Sequence, residues 1–307
     1  METAATLKMF ERSIEKFGFR YTTLLNDGDS SVFNQLCKLN NNNGPYGADH
    51  PVENEDCINH VSKRMRNNLD NVVQKNKAKG CPIDGKGRLT KDRVVAMQNY
   101  YGRAIKDHVH DLSGMVNGTW SIFFHYLDDG KPHHNHCPKG SDSWCWYNRQ
   151  IADGIAVPVR GEHTTPLPLH VLEAIKPVFE RLCSPQLLKR CLRGGTQNNN
   201  ECLNSVIWTR APKHKNASLL TIKNAVARGI LEFNKGSTTL IDIMDRASLS
   251  PGPNAKRFCQ KKDNQRIKKS AHECSERFKK IRKEKESLRK SIENKRKEGK
   301  TYGAGMS

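Results

Sequence analysis

The segment His133-His134-Asn135-His136-Cys137-Pro138-Lys139-Gly140-Ser141-Asp142-Ser143-Trp144-Cys145 places five imidazole or thiol ligands within 13 residues. It lies in a stretch, residues 127–168, that is rich in Gly, His, Pro and Asp. A loop this polar cannot hold its shape by burying apolar surface. An ion bound by soft or borderline ligands can hold it instead, because metal binding supplies folding free energy directly. Upstream, Cys57-Ile58-Asn59-His60 sets a thiol and an imidazole at i and i+3 of a helix, side by side as two zinc ligands must be. The expected site is one Zn²⁺ holding Cys57 and His60 together with two of His134, His136, Cys137 and Cys145. A separate zinc within the insertion, with His163 or His170 also available, is the rival arrangement.

The rest of the chain reads as helices broken by short β-prone segments. Leu7, Phe10, Ile14 and Phe17 give residues 1–20 one buried helical face, and Tyr21 to Leu25 reads as a strand ending in Asn26-Asp27-Gly28-Asp29. Helices are expected over Ser30–Leu39, from Glu55 or Asp56 onward, over Thr90–Ile105 with Thr90 as N-cap, over Leu169–Leu182, and over Leu219–Phe233. The helix after Asp56 buries Ile58, Val61, Met65 and Leu69. The element type of Trp120–Tyr126 stays open. From about Asn200, a helix puts Leu203, Val206 and Ile207 on one face and Glu201, Asn204 and Ser205 on the other.

Charge is uneven. The chain carries a net +20, and from Pro251 onward 19 Lys and Arg stand against 7 Asp and Glu. A basic tail behind a moderately basic domain suits a polyanionic partner, most simply DNA. Pro251-Gly252-Pro253 marks a boundary between residues 1–250 and 251–307. Beyond it Ile267, Ala271, Cys274, Phe278, Ile281, Leu288 and Ile292 follow heptad spacing, so one long helix is expected, able to pair as a homodimer or to lie back on the domain. Lys279–Lys283 and Lys295–Lys297 read as nuclear-localisation and DNA-binding elements, which puts the protein in the nucleus. Ten Cys without a signal-peptide stretch argue for reduced thiols, some on metal, and against an extracellular disulfide framework. No apolar run approaches membrane-spanning length.

Five short words in order resemble the animal branch of the Mutator-like transposases. They are Gly28-Asp29-Ser30-Ser31, then Cys57-x-x-His60-Val61-x-Lys63-Arg64-Met65, then Gln98-Asn99-Tyr100-Tyr101-Gly102. The fourth is Cys137-Pro138-Lys139-Gly140-Ser141-Asp142-Ser143-Trp144-Cys145, and the last is Thr196-Gln197-Asn198-x-Asn200-Glu201-x-Leu203-Asn204-Ser205-x-Ile207-Trp208. The resemblance runs over about residues 1–215. It implies an α/β chain: a partial RNase-H-like core with a largely helical, His/Cys-rich insertion over about residues 40–168, followed by the basic helix. It also implies an Asp-Asp-Glu triad that cuts and joins DNA at transposon ends with two Mg²⁺ or Mn²⁺ ions about 3.5–4 Å apart. Asp27 or Asp29 would hold the metals and Glu201 would complete the site. The family's first Asp lies on a strand upstream of everything matched here, so the expectation is an N-terminally truncated, catalytically incomplete transposase. The alternative is a non-enzymatic, zinc-stabilised nuclear DNA-binding protein derived from a transposon. For DNA contact the candidates are Lys63, Arg64 and Arg66 after the Cys-x-x-His pair, and Arg193, Arg210 and Lys213 around Glu201. Trp144, Trp146 and Trp208 are candidates for base stacking.

Overall fold

A computed structural model describes residues 2–28, 30–127, 133–156, 158, 166–278, 280–282, 284, 285 and 289. Two compact units divide the chain, residues 1–199 and 200–307. Pro251-Gly252-Pro253 leads into a helix of the second unit, with Gly252 as its N-cap.

The first unit opens with α1 (Glu2–Glu11) and α2 (Ser13–Phe17), followed by β1 (Thr23–Asn26), α3 (Ser30–Cys37) and the four-residue α4 (Leu39–Asn42). Next come β2 (Glu53–Asp56), α5 (Ile58–Ala78), α6 (Lys91–Asp107) and α7 (Leu112–His125). It ends with α8 (Trp146–Ala152), α9 (Leu169–Leu182) and α10 (Pro185–Lys189). The architecture is mostly helical. Among the described residues the sheet is a single parallel pair, with Thr23 opposite Glu53 and Asn26 opposite Asp56. An RNase-H-like sheet would need more strands, but the apolar residues elsewhere repeat at three and four, which winds them into helices.

The core forms where those helices converge. Val61, Met65 and Leu69 of α5, Met97, Tyr101 and Ile105 of α6, Ile122 of α7 and Val171, Ile175 and Phe179 of α9 are all buried there. The α5 face expected from the sequence is the one buried. Thr90 caps α6 by accepting the Arg93 N–H, as expected. Tyr101 is fully buried, and its hydroxyl donates to the Leu182 carbonyl at 2.6 Å, tying α6 to the end of α9. Of Trp120–Tyr126, open in the sequence, the residues up to His125 complete α7 and Tyr126 is its C-cap.

Below the helical core, the ends of the two strands are knitted to the chain that follows α10. Asp56 N–H donates to the Arg190 carbonyl at 3.0 Å, Ile58 N–H to the Gly195 carbonyl at 3.1 Å, and Gln197 Nε2 to the Leu25 carbonyl at 3.1 Å.

The second unit holds most of α11 (Asn198–Trp208), then α12 (Leu219–Lys235), α13 (Thr239–Arg246) and α14 (Pro253–Cys274). Ile207 is buried on α11 while Glu201, Asn204 and Ser205 are exposed, as the pattern requires. Asp263 of α14 caps the start of α13: its carboxylate accepts the Ser237 N–H at 2.6 Å and the Thr238 N–H at 3.0 Å. Gly236 has φ of +90°, and a side chain there would meet the Asp263 carboxylate. Among the described residues the expected long tail helix is interrupted at Ser275. Ser275 has an extended backbone, and its hydroxyl accepts the Phe278 N–H at 3.3 Å, as a cap that restarts the chain. Ile267, on the expected heptad seam, is 60% exposed. Leu288, Ile292 and Lys295–Lys297 lie outside the described residues, as do Asp29 and His163.

Candidate metal centre

Four side chains from three places converge under α7. His125 is the last residue of α7, His134 and Cys137 lie in the loop that follows, and Cys145 is the N-cap of α8. Their ligand atoms all lie within 4.8 Å of one another, and all four residues are buried. The His125 Nδ1 to Cys137 Sγ distance is 3.8 Å, and the His134 Nδ1 to Cys145 Sγ distance is 3.5 Å. A tetrahedral zinc with the usual bond lengths sets neighbouring sulfur and nitrogen ligands about 3.6 Å apart.

The surroundings fix these donors. Cys137 N–H donates to the His134 carbonyl at 3.1 Å, closing a tight turn. The Asn148 carboxamide on α8 points back and donates to the carbonyls of His134, Cys137 and Pro138 at 3.0–3.1 Å. Ser143 Oγ donates to the Pro138 carbonyl and accepts the Cys145 N–H. The His134 ring stacks on Tyr147 at 4.5 Å, and the His125 ring meets Trp144 edge-on at 5.0 Å. Trp144 in turn stacks on Tyr100 of α6 at 4.2 Å.

The thiols are unequal. The Cys145 thiol is driven toward thiolate by the hydrogen bond from Cys137, reinforced by His125, His134 and the Asn148 N–H. Cys137 is pushed up because it donates that bond and is buried. A lone thiolate in a buried site is costly, whereas two thiolates with a divalent ion are neutral. Two His and two Cys, all from the chain, make a closed donor set of the structural kind. These residues therefore form a buried group that could hold a metal ion such as zinc.

Three sequence-nominated ligands, His134, Cys137 and Cys145, come together. Cys57 and His60 are not members of the group. Cys57 is instead the N-cap of α5, buried, with its N–H on the Asn26 carbonyl and its sulfur accepting the Gln197 N–H. These contacts hold Cys57 at the strand ends, against Asn26 of β1 and Gln197, and His60 follows in the first turn of α5. The member missed by sequence reading is His125. Its signal was a lone imidazole closing the apolar run Trp120–Tyr126, nine residues before His134.

The acids are placed as follows. Asp27 follows β1 in an exposed turn in the first unit, and its carbonyl accepts a hydrogen bond from the Arg64 guanidinium. Gly28 has φ of +100°, and a side chain there would overlap that guanidinium. Glu201 is exposed in the first turn of α11 and belongs to the second unit. Among the nominated cations, several are engaged within the fold. Arg64 and Arg190 both contact the carboxylate of Asp56, which is 1% exposed, at 3.5 Å and 3.1 Å. Arg193 bridges Glu53 and Glu55 at 2.6 Å and 2.9 Å, and Arg210 pairs with Glu232. Arg66 makes an exposed pair with Asp70, Lys63 is exposed, and Lys213 sits over the Trp208 ring at 4.9 Å. Trp146 is buried against His134, and Trp144 stacks on Tyr100 and meets His125, so both pack around the His/Cys group.

Residues 1–145 match the Mutator-like transposase family. All four clustered ligands fall inside that match, which ends on the fourth of them, whereas Glu201 lies beyond it. No curated protein and no solved structure matches the chain. Among the described residues, no helix is long and apolar enough to cross a membrane.

Proposed function

We propose that the chain is a DNA-acting protein of transposase descent whose helical insertion is folded around one structural zinc ion. The observation that supports it best is the buried group of His125, His134, Cys137 and Cys145 inside a transposase-family match. Zinc there would cross-link the end of α7, the polar loop and the start of α8. A closed site leaves no open position for substrate, so its contribution is to shape and not to catalysis. Purified protein should carry one zinc per chain by elemental analysis. Cys145→Ser should lose it, and His133→Ala, outside the group, should keep it. Zinc-free wild-type protein with an unchanged melting temperature in chelator would refute the reading.

By descent, the chemistry is metal-dependent cutting and joining of DNA. Carboxylates are needed because Mg²⁺ and Mn²⁺ prefer hard oxygen ligands. Asp27, Asp29 and Glu201 are the residues proposed for it, with β1 and β2 as the remnant of an RNase-H-like core. Nicking of supercoiled plasmid in Mg²⁺ or Mn²⁺, abolished by Glu201→Gln, would support this. A nuclear, non-enzymatic DNA-binding role is the second reading. The Arg64 guanidinium packed on the Asp27–Gly28 turn favours it, because a fixed cation beside an acid opposes divalent-ion binding.

A further inference from the structure

The sequence marks Lys63, Arg64 and Arg66 together as basic, but the fold separates them. Arg64 turns inward onto Asp56, while Lys63 and Arg66 stay on the exposed side of α5. That side has an order of its own. Lys63, Asn67, Asn71 and Gln74, spaced by four, four and three residues, run along the middle of the outer face, and all are exposed. Arg66 and Lys77 flank this line on one edge and Lys75 on the other, again exposed. Asp70 is the one acid on α5, and Arg66 pairs with it at 3.5 Å.

The other long helices of the unit differ. The exposed side of α6 mixes Asp92 and Asp107 with its cations, and Arg103 pairs with Asp107 at 3.2 Å. The exposed side of α9 carries Glu173 and Glu180, the latter paired with Lys176 at 3.7 Å. Only α5 of the three shows a row of amides edged by cations.

Each part of that row has a chemistry. Asn and Gln carboxamides can donate and accept at once, which matches the paired acceptor and donor on an adenine edge in the major groove. Lysines on both edges reach phosphates without reading sequence. A major groove about 12 Å wide admits one helix, and a helix of this length spans about 30 Å. We infer that the outer face of α5 is a duplex-DNA-reading surface, with Asn67, Asn71 and Gln74 toward base edges and Lys63, Lys75 and Lys77 on the backbone. This rests on the DNA-acting reading above and specifies where that contact is made.

The test uses the full chain and fluorescence anisotropy with 30-base-pair duplexes across a salt series. One duplex is of mixed sequence and one is selected by the protein from a randomised pool. The variant Lys63→Ala/Lys75→Ala/Lys77→Ala should bind about tenfold more weakly, with a salt slope smaller by about 2–3, since each phosphate contact contributes about 0.9. Asn67→Ala/Gln74→Ala should keep the salt slope and lose about tenfold or more of the preference for the selected duplex, as expected when base-edge contacts are removed. A control, Lys91→Ala/Lys106→Ala/Lys176→Ala on α6 and α9, should change neither. All these side chains are exposed, so folding should be preserved, with melting temperature as the check. If the chain binds duplex but both α5 variants behave like wild type, the α5 inference fails and the DNA-acting reading stands. If the wild-type chain binds no duplex, both fail. Tighter binding to single-stranded DNA or RNA than to duplex would overturn the duplex assignment.

Discussion

The Nδ1 atom of His125, at the last turn of α7, lies 3.8 Å from the sulfur of Cys137, twelve residues further on. That contact joins an apolar helix to a loop whose own sequence offers little to bury. The helix contributes rigidity and one ligand. The loop contributes His134 and Cys137, and the N-cap of α8 contributes Cys145.

Replacing Asn148 with Ala should weaken zinc affinity by about 10–100-fold without removing a ligand, the usual cost of losing a second layer of support. The Asn148 carboxamide holds the carbonyls of His134 and Cys137 in place. Competition with a chelator of known affinity measures the effect. An unchanged affinity would mean that the loop holds its shape without this clamp.

Asp56→Asn should destabilise the first unit by about 1–3 kcal/mol, because the buried carboxylate joins Arg64 of α5 to Arg190 beyond α10. The partly exposed guanidinium groups recover some hydration, which keeps the cost below that of a fully buried pair. Urea unfolding followed by circular dichroism gives the number.

Tyr101→Phe should cost about 1–2 kcal/mol, since the buried Leu182 carbonyl loses the donor 2.6 Å away and no water replaces it at full burial. Thermal unfolding compares the two proteins. A cost near zero would show that the carbonyl finds another donor.

Asp263 sets an acid-sensitive point in the second unit. Burial alone would raise its pKa, but the backbone N–H groups of Ser237 and Thr238, hydrogen-bonded to the carboxylate, hold it below the ordinary Asp value. Its contribution is therefore complete above an unfolded-state pKa of about 3.9 and is lost as pH falls through the lower folded value. Asp263→Asn should cost about 1 kcal/mol at neutral pH, because a carboxamide oxygen can replace only one of the two carboxylate oxygens that accept the Ser237 and Thr238 N–H groups, and should reduce acid sensitivity below about pH 4. Hydrogen exchange at α13 is the readout.

Much of this was legible in the sequence for a physical reason. Amphipathic spacing located α5, α6 and α9, because burial of one face is what stabilises each of them, and Thr90 announced the start of α6. The metal centre was half legible. Ligand types are local, so His134, Cys137 and Cys145 stood out. Ligand partners are set by tertiary packing, so Cys57 and His60 were paired with them on chemistry alone, and His125 was hidden as the end of an apolar run. The tail helix was over-extended because heptad spacing counts only side-chain phase. It cannot register that Ser275 turns extended, which interrupts the helix, and that its hydroxyl accepts the Phe278 N–H to start the next one. Ion-pair partners were not legible in the basic words either: Arg64, Arg193 and Arg210 each meet a carboxylate set beside them by the fold.

The most direct test of the zinc centre is X-ray absorption at the zinc edge of the purified, full-length chain, paired with elemental analysis. The expected result is one zinc per chain with two sulfur ligands at about 2.3 Å and two nitrogen ligands at about 2.0–2.1 Å. His125→Ala should lose the zinc or replace one nitrogen. Absence of zinc, a shell of one or four sulfurs, or a spectrum and stoichiometry untouched by His125→Ala would contradict the assignment.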